Sequence, residues 1–325
     1  MLNATRAAGR TVSARLGWRS LGIAISLTII AFAIVTLGRL LRDIEPQRIL
    51  AALEAMSWRA VLMAAGFVAA GYMTYSLYDL FALRTIGRHD VPYRMALLGS
   101  FTSYSIGHNL GATVFTAAAV RFRVYSAWGL TLIDIAKIAF ITGLTFWLGN
   151  AVMLGLGVAY APDAASRVTE LPAWLARSIA IAGLAAIAAY LAWLLPRPRT
   201  IGRASWRIAL PDARMTLAQI GIGILDLSCG ALAVWALMPA SPPIDAVTVA
   251  VTFVVAILLG FLSHAPGSLG VLEAAMLLGL PQFQKEELLA SLLIFRLLYF
   301  ILPLCGALIA FALLEWQRLR RADGA

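Results

Sequence analysis

Asp79, Asp134, Lys137, Asp226, Glu273 and Arg296 each interrupt a long apolar stretch. An ionisable group at the centre of a bilayer-spanning helix costs about 2.5–3.5 kcal/mol on the insertion scale, so each invites a physical reason. Asp134 and Lys137 are one helical turn apart and are expected to neutralise each other. Asp79 lies near Arg84 at the inner end of its span, where snorkelling to the interface accounts for it. Asp226, Glu273 and Arg296 lie deeper. Their residue types leave two readings open: Glu273 and Arg296 form a structural pair, or Arg296 holds a phosphate with its planar guanidinium while Asp226 or Glu273 receives a cationic group. Arg121, Arg123 and Tyr125 form a further set, which either anchors the chain at the cytoplasmic interface or meets headgroup phosphates there.

Two glycine-rich breaks accompany these charges. Residues 95 to 120 are interrupted by Gly107-His108-Asn109-Leu110-Gly111, and residues 247 to 281 by Ser263-His264-Ala265-Pro266-Gly267-Ser268-Leu269-Gly270. Such segments should open a helix over 107 to 111 and 264 to 268. Backbone freed at membrane depth is tolerated only inside protein or beside a wet cavity, so the two breaks are expected to meet near the protein centre. His108 and His264 occupy matching places, but two histidines without a clustered third ligand make a poor zinc site. No metal or cofactor is expected.

The elements that must carry these residues follow from composition. The chain of 325 residues is 61% hydrophobic and 13% charged, with a mean hydropathy of +0.85, which excludes an ordinary soluble domain. Spans of about 20 residues suffice to cross the hydrocarbon. They are predicted at 20 to 38, 60 to 83, 132 to 159, 174 to 195, 216 to 238 and 288 to 314. The fold class is therefore all-α: a polytopic membrane protein with six clear spans and two interrupted hairpins, about eight transmembrane segments in all. The run after Arg6, Arg10, Arg15 and Arg19 is long and ends at Gly38-Arg39, so it reads as an anchor rather than a cleaved leader. The net charge of +10 resides in short links, which argues for basic cytoplasmic loops and against nucleic acid. Cys229 and Cys305 both lie in apolar runs, and no disulfide framework is expected.

Loop charge sets the orientation. Segments 1 to 20, 84 to 94 and 196 to 215 and the tail with Arg318, Arg320 and Arg321 are rich in arginine and should be cytoplasmic. Segments 160 to 173 and 239 to 246 carry more acid than base and fit the outer side. Parity then makes each interrupted region leave and return to one side. The chain divides into a basic terminus at 1 to 19, a first membrane repeat at 20 to 160, a second at 161 to 315 and a basic tail at 316 to 325. With three net crossings each, the halves form an inverted repeat. A short echo agrees with this: His108-Asn109-Leu110-Gly111 and His264-Ala265-Pro266-Gly267 stand at a constant offset of 156. Transporters commonly bind substrate between such repeats, beside broken helices.

The two break motifs, together with Arg121-Phe122-Arg123-Val124-Tyr125, Gly129-Leu130, Val271-Leu272-Glu273 and Phe295-Arg296-Leu297-Leu298-Tyr299 before Pro303, resemble the transmembrane region of the bacterial lysylphosphatidylglycerol synthase family. The likeness runs from about 20 to 315. Ala117, Ala118 and Ser268 stand where that family often has glycine. The resemblance implies a flippase-like region that moves an aminoacylated phospholipid between leaflets of the inner membrane, and it adds Tyr299 to the substrate-binding candidates Arg121, Arg123, Tyr125, Asp226, Glu273 and Arg296. His108, Asn109, Gly111, His264, Pro266 and Gly267 are the break residues. No aminoacyl transferase domain is expected beside this region, and no nucleotide-hydrolysis or hydrolase motif occurs, so an enzyme is not expected. The expected partners are phospholipid and membrane, with a second copy of the chain or a separate lipid-modifying enzyme as further candidates. The alternatives are a transporter of a small anionic or polyprenyl-linked solute and a non-transporting membrane subunit.

Cysteine scanning with an impermeant thiol reagent checks the orientation. Positions in 160 to 173 and 239 to 246 should label from outside; labelling from outside at 205 would overturn the inverted arrangement.

Overall fold

The computed structural model describes residues 35, 38, 45–111, 113–195, 200–201 and 208–323. The expected first span at 20 to 38 and the basic segment before it thus lie almost wholly outside the described residues, as does much of 196 to 215. The described chain is an all-α polytopic membrane protein. Six of its helical segments are long and apolar enough to cross a membrane.

The helices are α1 (Pro46–Ala55), α2 (Trp58–Thr85), α3 (Tyr93–Leu110), α4 (Thr113–Tyr125), α5 (Leu132–Tyr160), α6 (Pro162–Thr169), α7 (Ala173–Leu194), α8 (Ala213–Leu237), α9 (Ala246–Ser263), α10 (Val271–Gly279), α11 (Lys285–Arg296) and α12 (Leu302–Asp323). A π turn, Leu297–Ile301, joins α11 to α12 as one long rod. The pair Thr200–Ile201 and Ile208–Ala209 forms a short antiparallel ladder between α7 and α8. Helices α2, α5, α7, α8 and the α11–α12 rod lie where apolar runs predict spans. Helix α9, the first arm of the second hairpin, is itself of spanning length.

Polar residues at the ends decide where these helices start. Thr131 and Asp134 form a reciprocal capping box on α5: the Thr131 hydroxyl accepts from the Asp134 N–H, and the Asp134 carboxylate accepts from the Thr131 N–H at 2.9 Å. This corrects the expected Asp134–Lys137 neutralisation. No such ion pair exists among the described residues, because a helix start offers the acid unpaired N–H groups and a favourable dipole. Asp212 and Asp245 are themselves the N-caps of α8 and α9, their carboxylates accepting from the N–H groups of Met215 and Thr248.

The first hairpin also departs from expectation. Helix α3 runs unbroken through His108 to Leu110, and Gly111 ends it. Asn109 lies within that helix, its side-chain amide donating to the Ser105 carbonyl one turn back at 2.8 Å. The second hairpin opens over a longer stretch, since Pro266 has no N–H to give and Gly267 takes a left-handed conformation with φ of 58°. The two breaks touch. Gly111 has φ of 73°, and a Cβ built there would sit 2.8 Å from the His264 carbonyl oxygen, so only glycine suits both the conformation and the approach.

Helices α2 and α5 both pack on α8. Where α5 crosses α8, Gly149 meets Gly223, and a Cβ on Gly223 would lie 2.7 Å from the Gly149 Cα and 2.8 Å from the Thr145 carbonyl. Small residues let helices approach this closely in a bilayer. Gly221, one turn-face away on the same helix, has nothing within 4 Å. Gly223→Val should therefore cost about 1–3 kcal/mol by overpacking and lower the apparent unfolding midpoint of the detergent-solubilised protein, while Gly221→Ala should leave that midpoint unchanged.

Candidate functional site: a cleft between the two helix breaks

Helix α2 aims a ladder of side chains at the protein interior. Tyr72, Tyr75, Tyr78 and Asp79 recur at helical spacing and so share one face, and all four are buried. The expectation that Asp79 snorkels beside Arg84 is corrected here. Arg84 donates to the His89 carbonyl at 2.7 Å, and Asp79 turns inward to a base from another helix. Arg121 on α4 approaches it with Nε at 3.1 Å and Nη2 at 2.8 Å, and the Tyr125 hydroxyl donates to the same carboxylate at 2.7 Å. The Arg121 guanidinium also lies over the Tyr104 ring, 4.8 Å from its centre. Burying both charges is tolerable because each carries several charge-assisted hydrogen bonds.

A second ion pair braces the other hairpin. Arg296 donates through Nε to Glu273 Oε1 at 2.8 Å and through Nη2 to the same oxygen. Its Nη1 donates to the Gly267 carbonyl at 2.8 Å, and Glu273 Oε2 accepts from the Gly270 N–H at 2.8 Å. Acid and base thus tie down backbone groups that the break leaves without helical partners.

The π turn has its cause in Pro303. Proline cannot donate to the carbonyl four residues back, which belongs to Tyr299. That carbonyl accepts instead from the Tyr72 hydroxyl at 2.9 Å, and the neighbouring Phe300 carbonyl accepts from Asn109 at 3.1 Å. The Tyr299 hydroxyl meets that of Tyr75 at 2.7 Å. Single π turns of this kind recur at functional sites.

Between these networks lies a cleft with about 900 Å³ of space out to its mouth. Asp226, His108, His264, Gly111 and Tyr299 line it, within walls that are otherwise largely apolar. A second cleft of about 670 Å³ shares Tyr75, His108 and Phe146 with the first and is lined by Tyr78, Tyr104 and Arg121. Asp226 accepts from the Tyr78 hydroxyl at 3.2 Å. Tyr78 and Tyr104 meet edge to face at 6.0 Å and stand between Asp226 and Arg121. The mouth is apolar, because Val114 and Phe115 line the first cleft and are exposed, Phe115 to 80%.

Of the residues singled out in the sequence, Arg121, Asp226, Tyr299, His108, Gly111 and His264 gather around these two clefts. Tyr125 stands behind Arg121 as a partner of Asp79. Arg296, Glu273, Asn109, Pro266 and Gly267 build the break rather than line either cleft, and Arg123 is exposed on α4. The tyrosines of α2, Tyr104 on α3 and the role of Asp79 went unrecognised. Their signal was the spacing Tyr72, Tyr75, Tyr78, which puts three hydroxyls on one face of an apolar helix.

Removing Arg121 leaves Asp79 buried without its counter-charge. Arg121→Met should therefore cost about 3–5 kcal/mol, and Asp79→Leu together with Arg121→Met should recover most of it. Retention of folded protein in detergent on heating measures both.

No protein-family model matches the chain. It is similar to an uncharacterized protein of Synechocystis, slr0712, with 27% identity over 281 residues, covering 85% of this chain and 86% of that protein. It is also similar to the inner membrane protein YbhN of Escherichia coli, with 31% identity over 266 residues, covering 79% of this chain and 81% of that one.

Proposed function

Since the chain belongs to the family of the inner membrane protein YbhN and is a multi-pass inner-membrane protein, we propose that it moves a phospholipid between the leaflets, with both of its termini cytoplasmic. The observation that carries this reading is the cleft between the two breaks: polar at its floor, apolar at its mouth, and set among helices of spanning length. A lipid has the same division. Its headgroup needs charged and hydrogen-bonding partners away from hydrocarbon, whereas its acyl chains can stay beside exposed residues such as Phe115. The motif resemblance to the transmembrane region of the lysylphosphatidylglycerol synthase family supports the same class of cargo, an aminoacylated or other amine-bearing phospholipid.

In this reading Arg121 takes the phosphate. It lines the second cleft, and a planar guanidinium holds phosphate with two parallel bonds. Asp79 and Tyr125 hold Arg121 in one orientation. Arg296 keeps the second hairpin open and leaves phosphate binding to Arg121, since its three donating nitrogens are engaged by Glu273 and Gly267. Asp226, across the tyrosines, is suited to a cationic group. The extent of internal ion pairing also favours a second reading, a non-transporting membrane subunit, in which both pairs only hold the fold.

Reconstitution of the chain into vesicles with fluorescent phosphatidylethanolamine, an amine-bearing phospholipid, followed by leaflet-selective quenching, separates the two. Lipid transfer should exceed that of empty vesicles. Arg121→Lys should lower the rate roughly ten- to a hundredfold, the loss of one charge-assisted bond worth about 1.5–3 kcal/mol. Glu273→Leu with Arg296→Met, if folded, should keep the rate within about a factor of two. Transfer equal to empty vesicles, with unaltered leaflet distribution in cells lacking the chain, would sink the transport reading.

A further inference from the structure

Asp226 differs from the other deeply placed acids in its company. Asp79 has Arg121 and Glu273 has Arg296, whereas Asp226 enters no ion pair among the described residues. It is buried on α8, accepts from the Tyr78 hydroxyl, and faces the first cleft, whose lining contains neither lysine nor arginine. A carboxylate withdrawn from water needs either a cation or a proton as company. The cleft gives either one a way in.

The groups facing Asp226 come from several elements. Helix α2 presents Tyr75 and Tyr78, with Tyr72 a turn further along. Helix α3 presents His108 and Tyr104, the π turn presents Tyr299, and the second break presents His264. Cys229 follows on its own helix. Helices α5 and α9 contribute only Phe146, Phe253, Ile257, Gly260 and Phe261 to that cleft, none of them titratable. Tyrosine hydroxyls can donate to the carboxylate but do not balance its charge.

We propose that Asp226 is a proton-exchange site whose carboxyl holds a proton while the cleft is empty and releases it when a primary ammonium group enters. On release the O–H bond breaks, its electron pair stays on the oxygen, and the proton passes through the cleft to water at its mouth. The ammonium then takes the proton's place, so the cleft keeps its net charge and substrate is exchanged for a proton. Only the source of the ammonium group, lipid headgroup or soluble amine, rests on the transport reading.

Infrared difference spectra of the full chain in phosphatidylglycerol nanodiscs, recorded as pH is raised, test the site without any transport step. A carboxylic-acid carbonyl band should fade with rising pH and be missing from Asp226→Asn. Replacing part of the lipid with phosphatidylethanolamine should make the proton leave about one pH unit lower, a roughly tenfold competition. If free ethanolamine has that effect and the lipid does not, the exchange site stands and its partner is a soluble amine. Tyr78→Phe keeps the carboxyl and removes its hydroxyl donor, so its band should remain with a displaced midpoint, which guards against a poorly folded Asp226→Asn. A band absent from the parent chain, one that survives Asp226→Asn, one unmoved in Tyr78→Phe, or one indifferent to both amines would overturn the proposal. Lipid transfer without a titrating band removes the proton site and spares the transport reading; a titrating band without lipid transfer does the reverse.

Discussion

Backbone groups freed at membrane depth must find partners within the protein, because hydrocarbon supplies none. Much of the interior of this protein follows from that one constraint. Two helical hairpins are broken, a third rod is bulged at Pro303, and the polar side chains near these places are occupied with peptide groups. Asn109 takes the Phe300 carbonyl, Tyr72 the Tyr299 carbonyl, Arg296 the Gly267 carbonyl and Glu273 the Gly270 N–H. The breaks lean on each other at Gly111 and His264. The cleft is the space left where regular helix stops.

Charge is distributed in a second pattern on top of this. One buried acid is neutralised by an arginine that also stacks on a tyrosine, another by an arginine that also binds backbone, and Asp226 by neither. Removing one partner of a buried pair such as Asp79–Arg121 or Glu273–Arg296 is expensive, because the other is left without its counter-charge. An acid without a basic partner is free to exchange what it binds. The same low dielectric thus sets Asp226, which has no basic partner among the described residues, apart from the two paired acids.

The surroundings of Asp226 also show how the first and second halves depend on each other. It is carried on α8, reached by Tyr78 from α2, and placed beside an aromatic group from α3 and the π turn. Tyr75 stacks on Tyr104 at 4.1 Å and shares its hydroxyl with Tyr299. The site thus draws on helices from both the first and the second half of the chain.

The sequence by itself determined the class of fold, the positions of the described spans other than α9, and the neighbourhoods of both breaks. Those features are local: a span is set by the length and apolarity of one segment, and a break by glycine and proline within it. Even so, local reasoning placed the first opening too early, because α3 keeps its helical form to Leu110 and ends only at the positive φ of Gly111. Pairings were decided by tertiary structure. Asp134 sits one turn from Lys137 yet caps the start of its helix, and Asp79 sits close to Arg84 yet binds Arg121, 42 residues away. Ion pairing in a membrane interior depends on which helix faces which, and on which group loses water. Spacing along the chain reports neither.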